Sequence, residues 1–304
     1  MGALPFDVAN FNLINFANIY PDLMDSVPKD VTYQYKDANG NIQTVTIANR
    51  GKFKQQLWDD VGGALGQFNR TFYVDADNGD DNNDGSSDAP FATLQKAVDS
   101  VPIGGFGHII LNSNYDGIFN SALKNIYIEI ASDKTWKIPD GQRNLVNGCS
   151  VGILNYGHLY VEKLDSDSNN SGDNNCAFFV TDYEKYPYLA QITNVYLVNI
   201  DSSNPIKVDN DRYLAGSRNW GTSQGMQINL AVYNIKCSDD FTLDGKLLFL
   251  RNGAGSFQWN NLNNDDSFKV VDSDGNAVDI TTTVDGIIKD SNGVPRNIIS
   301  NIIF

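Results

Sequence analysis

The densest run of groups able to do chemistry is Asp75-Ala76-Asp77-Asn78-Gly79-Asp80-Asp81-Asn82-Asn83-Asp84-Gly85-Ser86-Ser87-Asp88. Within it, Asp80-x-Asn82-x-Asp84-Gly85 has the oxygen spacing of the first half of an EF-hand calcium loop, which needs a bidentate carboxylate at its twelfth position. Phe91 stands there instead. Asp80, Asn82 and Asp84 are thus candidate calcium ligands only if Asp75, Asp77 or Asp88 completes the shell in another geometry. The leading reading is a solvated acidic turn without a cofactor, with calcium as the alternative. Glycoside-cleaving chemistry needs two carboxylates across one groove, about 5–9.5 Å apart. Asp165, Asp167, Asp182, Glu184, Asp201, Asp209, Asp211, Asp239 and Asp240 are available. With only three glutamates among 37 acidic residues, the chain holds 34 aspartates, so chance pairings are expected and no catalytic pair is assigned. The aromatics Tyr183, Tyr186, Tyr188, Tyr213, Trp220 and Trp259 lie in or near loops, where ring faces could stack on sugars. They are the candidate glycan contacts, with loop packing and contacts between copies as the commoner use. His108 and His158 stand alone beside apolar strand residues and suggest structural hydrogen bonds, not a triad or a metal site. Cys149, Cys176 and Cys237 are widely spaced and odd in number, which predicts buried free thiols.

Charge narrows the classes further. A net charge of −15 and a pI near 4.4, with 22 scattered basic residues, oppose a nucleic-acid binder and an anionic-membrane binder. No apolar stretch approaches the roughly 18 residues of a membrane span. No Lys or Arg precedes Lys29, so the opening is not read as a secretory signal.

The elements that must position these groups fall into three regions. Residues 1–70 read as a separate module. Val31, Tyr33 and Tyr35 alternate with polar residues, Asn39-Gly40 marks a turn, and a second strand runs from Ile42 to Ile47. Phe53, Leu57, Val61, Leu65 and Phe68 recur at helical spacing, predicting an amphipathic helix whose apolar stripe meets the hairpin or another copy. Region 71–265 opens with a strand at Thr71–Val74 and, after the acidic loop, a short helix near 91–100, with Thr93 or Ser87 near its cap and Leu94, Ala97 and Val98 buried. Short apolar runs separated by Asn, Asp, Ser and Gly follow. Those starting at Leu159, Val195 and Ala231 resemble one another at steps of 36 residues, the mark of stacked units. A right-handed parallel β-helix fits: short strands return above the previous coil, and loops of any length leave at the corners. Coils averaging about 23 residues would give about seven over 103–265, roughly 34 Å at ~4.8 Å per coil. The helix near 91–100 would cover the first coil. Region 266–304 reads as β-hairpins about Asp272–Asn276 and Asp290–Gly293, ending in Ile298-Ile299-Ser300-Asn301-Ile302-Ile303-Phe304.

The run Phe72-Tyr73-Val74-Asp75, Asn78-Gly79-x-Asp81-x-Asn83-Asp84-Gly85, Pro90-Phe91-x-Thr93-Leu94-x-x-Ala97-Val98 is similar to the opening of many pectate-lyase-like β-helix proteins. It resembles above all those of bacteriophage tail spikes, tail fibres and other virion appendages. The close likeness spans residues 72–98; downstream it is one of texture. The resemblance implies a first strand, an acidic turn and a capping helix. It also implies a homotrimer, an N-terminal region that attaches to other virion proteins, and a β-helix surface that meets host-cell glycans. The family's hydrolase signatures are missing: no basic motif follows Gly157-His158-Leu159 and no Asn-Thr-Asp occurs. The expected function is a structural virion appendage for host attachment, released without a secretion signal. A β-helix depolymerase of surface polysaccharide and a purely architectural particle protein are the alternatives.

Overall fold

The computed structural model describes residues 31–36, 42–47, 69–163, 175–181, 192–201, 205–218, 227–237, 240–251, 254–262 and 269–304. The chain forms two compact units, Met1–Gly66 and Gln67–Phe304. In the first, β1 (Val31–Lys36) and β2 (Ile42–Ile47) pair antiparallel, with Val31 opposite Ile47 and Lys36 opposite Ile42. The expected helix of residues 52–68, with Phe53, Leu57, Val61, Leu65 and Phe68, lies outside the described residues.

The second unit is mainly β. It opens with β3 (Asn69–Val74) and α1 (Leu94–Asp99), and then strands follow in threes. The triplets are β4 (Phe106–Leu111), β5 (Tyr115–Asp116) and β6 (Asn120–Ala122), then β7 (Asn125–Ile130), β8 (Thr135–Ile138) and β9 (Asn144–Asn147). Next come β10 (Ser150–Asn155), β11 (His158–Val161) and β12 (Cys176–Thr181), then β13 (Ile192–Ile200), β14 (Ile206–Val208) and β15 (Tyr213–Arg218). The series ends with β16 (Gln227–Ile235), β17 (Phe241–Leu243) and β18 (Lys246–Arg251), then β19 (Ala254–Asn261), β20 (Val270–Val271) and β21 (Val284–Asp285), and finally β22 (Ile298–Ser300). Each strand hydrogen-bonds to strands one coil away, so three parallel sheets run along the stack. Sheet I has the order β3-β4-β7-β10-β13-β16-β19-β22; sheet II, β5-β8-β11-β14-β17-β20; sheet III, β6-β9-β12-β15-β18-β21. This is a β-helix-like parallel architecture.

Strand alternation builds the core. Burial follows period two along β4, β7 and β13, so every second side chain points inward. Parallel register then stacks like on like: Phe72, Ile109, Ile128, Ile153, Leu197 and Val232 form one inward row of sheet I. All six are essentially inaccessible to solvent. Where the row of strand-terminal positions reaches the corner, the side chains become amides. Asn155, Asn199 and Asn234 are fully buried and in register. Asn155 Nδ2 donates to Asn199 Oδ1 at 2.9 Å, and Asn199 Nδ2 donates to Asn234 Oδ1 at 2.7 Å. A second amide row, on the outward face, links Ser150, Asn194, Asn229 and Ser256 by bonds of 2.8–3.1 Å. The aspartate-rich composition finds a use at the corners: Asp133, Asp201 and Asp211 take φ of 62°, 48° and 62°, the left-handed region that Asp tolerates better than most residues.

The stack departs from a regular repeat. Residues in one column of sheet I are Asn69, Phe106, Asn125, Ser150, Asn194, Asn229, Ser256 and Ile299, steps of 19 to 44 residues. The expected 36-residue period is therefore corrected. The Val195 and Ala231 segments share sheet I with a step of 35, whereas the Leu159 segment belongs to sheet II, beside Trp136 and Ile206. The hairpin expectation for 266–304 holds only at the turns, where Val271 bridges Ala277 and Lys289 bridges Pro295 antiparallel. β20, β21 and β22 instead extend sheets II, III and I in parallel, because their inward residues Val270 and Val284 continue the stacked core.

The helix near 91–100 is α1, and it packs on β3, β4 and β6 at the start of the stack. Thr93 is its N-cap, Thr93 Oγ1 accepting from Lys96 N, and Leu94, Ala97 and Val98 are the buried face. Sealing this end matters because an open coil exposes apolar side chains and unpaired strand edges.

Candidate functional site

The acidic loop is built to hold α1. Asp81 Oδ1 accepts from the amides of Ala92 (3.0 Å) and Thr93 (2.9 Å), and its Oδ2 accepts from Thr93 Oγ1 at 2.7 Å. Asn83 Nδ2 donates to Pro90 O, while Phe91 N donates to Tyr73 O and Asp75 N donates to Phe91 O, the two backbone bonds that lay Phe91 beside Val74. Gly85 has φ of 77°, and a Cβ there would fall 2.3 Å from the Phe91 ring. The residues of the resemblance motif thus each have a packing or bonding task. Of the candidate calcium ligands, Asp80 Oδ1 accepts from the backbone and side-chain amides of Asn82, and Asp84 Oδ1 accepts from Ser86 N. The bond from Ser86 holds the Asp84 carboxyl below its ordinary range. Among the described residues, no group of three or more His, Cys, Asp or Glu side chains is placed to hold a metal ion.

A polar strip that the sequence did not single out runs along the outward face of sheet II. In register from coil to coil it places Asp116, Lys137, Tyr160, Lys207 and Thr242 side by side. Lys137 pairs with Asp116 and, at 3.7 Å, with Glu162. Tyr160 Oη donates to Asp209 Oδ2 at 2.6 Å, Lys163 N donates to the same oxygen, and Lys207 Nζ lies 3.0 Å from Asp209 Oδ1. Burial alone would raise the Asp209 carboxyl, yet the bonds from Tyr160 and Lys207 outweigh it and hold the group below the usual range. Burial and the same carboxylate push the Tyr160 phenol far up. The Tyr160 ring has Lys207 Nζ 4.8 Å from its centroid and the near-parallel His158 ring at 6.2 Å. Behind the strip, fully buried Arg212 donates to the carbonyls of Pro139, Glu162 and Gln142, tying adjacent coils together.

The other sequence candidates are dispersed. Tyr183, Tyr186, Tyr188 and Trp220 lie outside the described residues. Tyr213, on β15, donates to Asp285 Oδ2 at 2.6 Å and packs on Phe249. Trp259 is half-buried in sheet I, in register with Val232 and edge-on to Phe241 at 5.8 Å. Asp201 and Asp211 occupy corner positions, and Asp240 Oδ1 accepts from Lys269 N. Asp165, Asp167, Asp182, Glu184 and Asp239 lie outside the described residues. His108 Nε2 is 2.9 Å from Glu129 Oε2 on the outward face of sheet I. Cys149, Cys176 and Cys237 are buried. No helix among the described residues is long and apolar enough to cross a membrane.

Comparison of the chain with protein-family models, curated proteins and solved structures finds no match.

Proposed function

We propose that this chain is a structural appendage of a bacteriophage particle, a tail fibre, tail spike or capsid-surface fibre, whose right-handed β-helix presents a rigid surface for attachment to the host. The observation that carries this reading is the stack itself: three parallel sheets, the longest running from β3 to β22, rise together coil by coil, with α1 packed at the start. Such a stack resists bending because each strand inside a sheet is hydrogen-bonded along both edges and every coil adds to one core. Right-handed winding is the sense found in about 98% of crossovers between parallel strands. Residues 1–70 would join the chain to other virion proteins, and copies would associate as a homotrimer. Three buried cysteines, few and odd in number, suit folding in a reducing host cytoplasm and release by lysis.

Host contact is assigned to binding, not to bond cleavage. The strip of Asp116, Lys137, Tyr160, Lys207 and Asp209 supplies carboxylate, ammonium and phenol groups of the kind that bond sugar hydroxyls. Labelled-antibody electron microscopy of purified particles tests the reading. Label at an appendage is expected; absence of the chain from purified particles refutes it. Purified protein is expected to bind host cells and to release no new reducing ends from host capsule. Label without cell binding would reduce the role to architecture.

A further inference from the structure

Over four consecutive coils the outward face of sheet I carries no charged side chain. The outward positions are every second residue of 150–154, 192–200, 227–235 and 254–260, and none is Asp, Glu, Lys or Arg. A surface with the usual roughly 25–35% of charged residues would place several there, and this chain carries a net charge of −15. Beside uncharged amides and hydroxyls the face offers apolar and aromatic side chains: Leu154, Val198 and Tyr233 share one row, Ile200 and Ile235 the next, and Tyr196 stands 37% exposed between them and the amide row. The Asn194 and Asn229 amides are already bonded to each other and to their neighbours. Charges return only at the margins, at exposed Asp201 and Lys236 and at the paired His108 and Glu129 on β4 and β7.

We infer that this face is where copies of the chain pack against one another. The inference names the surface for the self-association in the proposed function and rests on that reading. Two chains of like charge meet at least cost where neither carries any, and a patch that joins copies must be complementary to itself. A charge-free mixture of tyrosine, branched aliphatic and mutually satisfied amide side chains meets both conditions. It also has the composition of an interface core, depleted of charge and enriched in aromatics. A glycan is the poorer occupant, because this face, unlike the sheet II strip, presents no carboxylate or ammonium group to its hydroxyls. The extent fits as well. Strands of up to nine residues, at about 3.3 Å per residue and ~4.8 Å between strands, give on the order of 500 Å². Phe106 and Tyr127, with rings 5.0 Å apart on β4 and β7, carry the face toward the roughly 800 Å² per partner of a stable interface.

Light scattering and sedimentation equilibrium on the full chain test this, with Tyr196→Glu, Tyr196→Lys and, as a control on sheet II, Thr242→Glu. Circular dichroism verifies that each variant keeps its strand content. The natural chain and T242E are expected to be oligomeric with the same midpoint. Y196E and Y196K should both raise the dissociation midpoint about tenfold or more, through burial of an unpaired charge. The pair of variants separates burial from net charge, since the lysine makes the chain less negative and would tighten a contact limited only by repulsion. A natural chain that is monomeric at all concentrations overturns the inference, as does an oligomer untouched by Y196E and Y196K. A monomer whose binding to a neutral host polysaccharide is lost in Y196E would give the face to a glycan and overturn it too. Particle labelling reads the appendage proposal separately, so an oligomer held by another face leaves that proposal standing.

Discussion

Replacing Asn199 by Ala removes the middle rung of the buried amide row, and Asn194, five residues earlier on the same strand, supplies its control. Each side chain takes part in two side-chain hydrogen bonds: Asn199 with Asn155 and Asn234, Asn194 with Ser150 and Asn229. The two differ in burial, since Asn199 is inaccessible and Asn194 only half-buried. For Asn199→Ala the loss is about 1 kcal/mol net per bond, plus about 1–3 kcal/mol for stranding the buried Asn234 Oδ1 without a donor. The sum is ~3–5 kcal/mol. For Asn194→Ala, measured on the dissociated chain at low concentration, water replaces the lost partners and the expected cost stays below about 1 kcal/mol. Urea unfolding followed by tryptophan fluorescence measures both, Trp136 being fully buried in the stacked core. Because neighbouring coils stabilise each other only pairwise, the mid-stack lesion is also expected to broaden or split the transition. Equal costs for the two variants, or a larger one for Asn194→Ala, would refute the claim that the buried row is a stabilising element.

Asp81→Ala should cost about 2–4 kcal/mol in the same assay, because it strips three hydrogen bonds from the start of α1; a loss under 0.5 kcal/mol, taken as about the scatter of surface substitutions, would show that the loop does not hold the helix. Gly85→Ala places a Cβ against Phe91 at a positive φ and should destabilise by at least ~1–3 kcal/mol, read as a lower melting temperature. Acid should weaken the stack. The Asp209 carboxyl is held below its ordinary range, so its contribution is complete above about pH 4 and is lost as the pH falls through the depressed value. Unfolding curves between pH 7 and pH 2 should show a smaller acid loss in Asp209→Asn than in the natural chain.

What was legible in the sequence was local. The pair β1–β2 follows from alternation across a short turn, and α1 follows from Thr93 and the spacing of Leu94, Ala97 and Val98. The parallel stack showed through because short strands without hairpin spacing leave few other ways to bury their inward faces. Register was not legible, because it is set between coils while the corner segments vary freely in length. Thus Leu159–Val161, in a segment so like Val195–Ile200 in sequence, joins a different sheet. A better signal was present: Asn155, Asn199 and Asn234 each interrupt or end an apolar run, and all three are in register. The polar strip was hidden for a related reason, since Tyr160 and Asp209 meet across 49 positions of chain. The C-terminal turns looked like hairpins because Asp272 and Asp290 organise their own loops, whereas β20 and β21 find partners a coil away.

The three cysteines give the stack a built-in clock. Cys149 precedes β10, Cys176 lies in β12 and Cys237 follows β16, and all are hidden from solvent. Burial pushes the Cys176 thiol up to about 12, so it is inert while its coil is shut. A thiol reagent therefore sees each sulfur only when that layer comes apart, and the order in which the three are alkylated would record whether the ladder unravels from one end or opens in the middle.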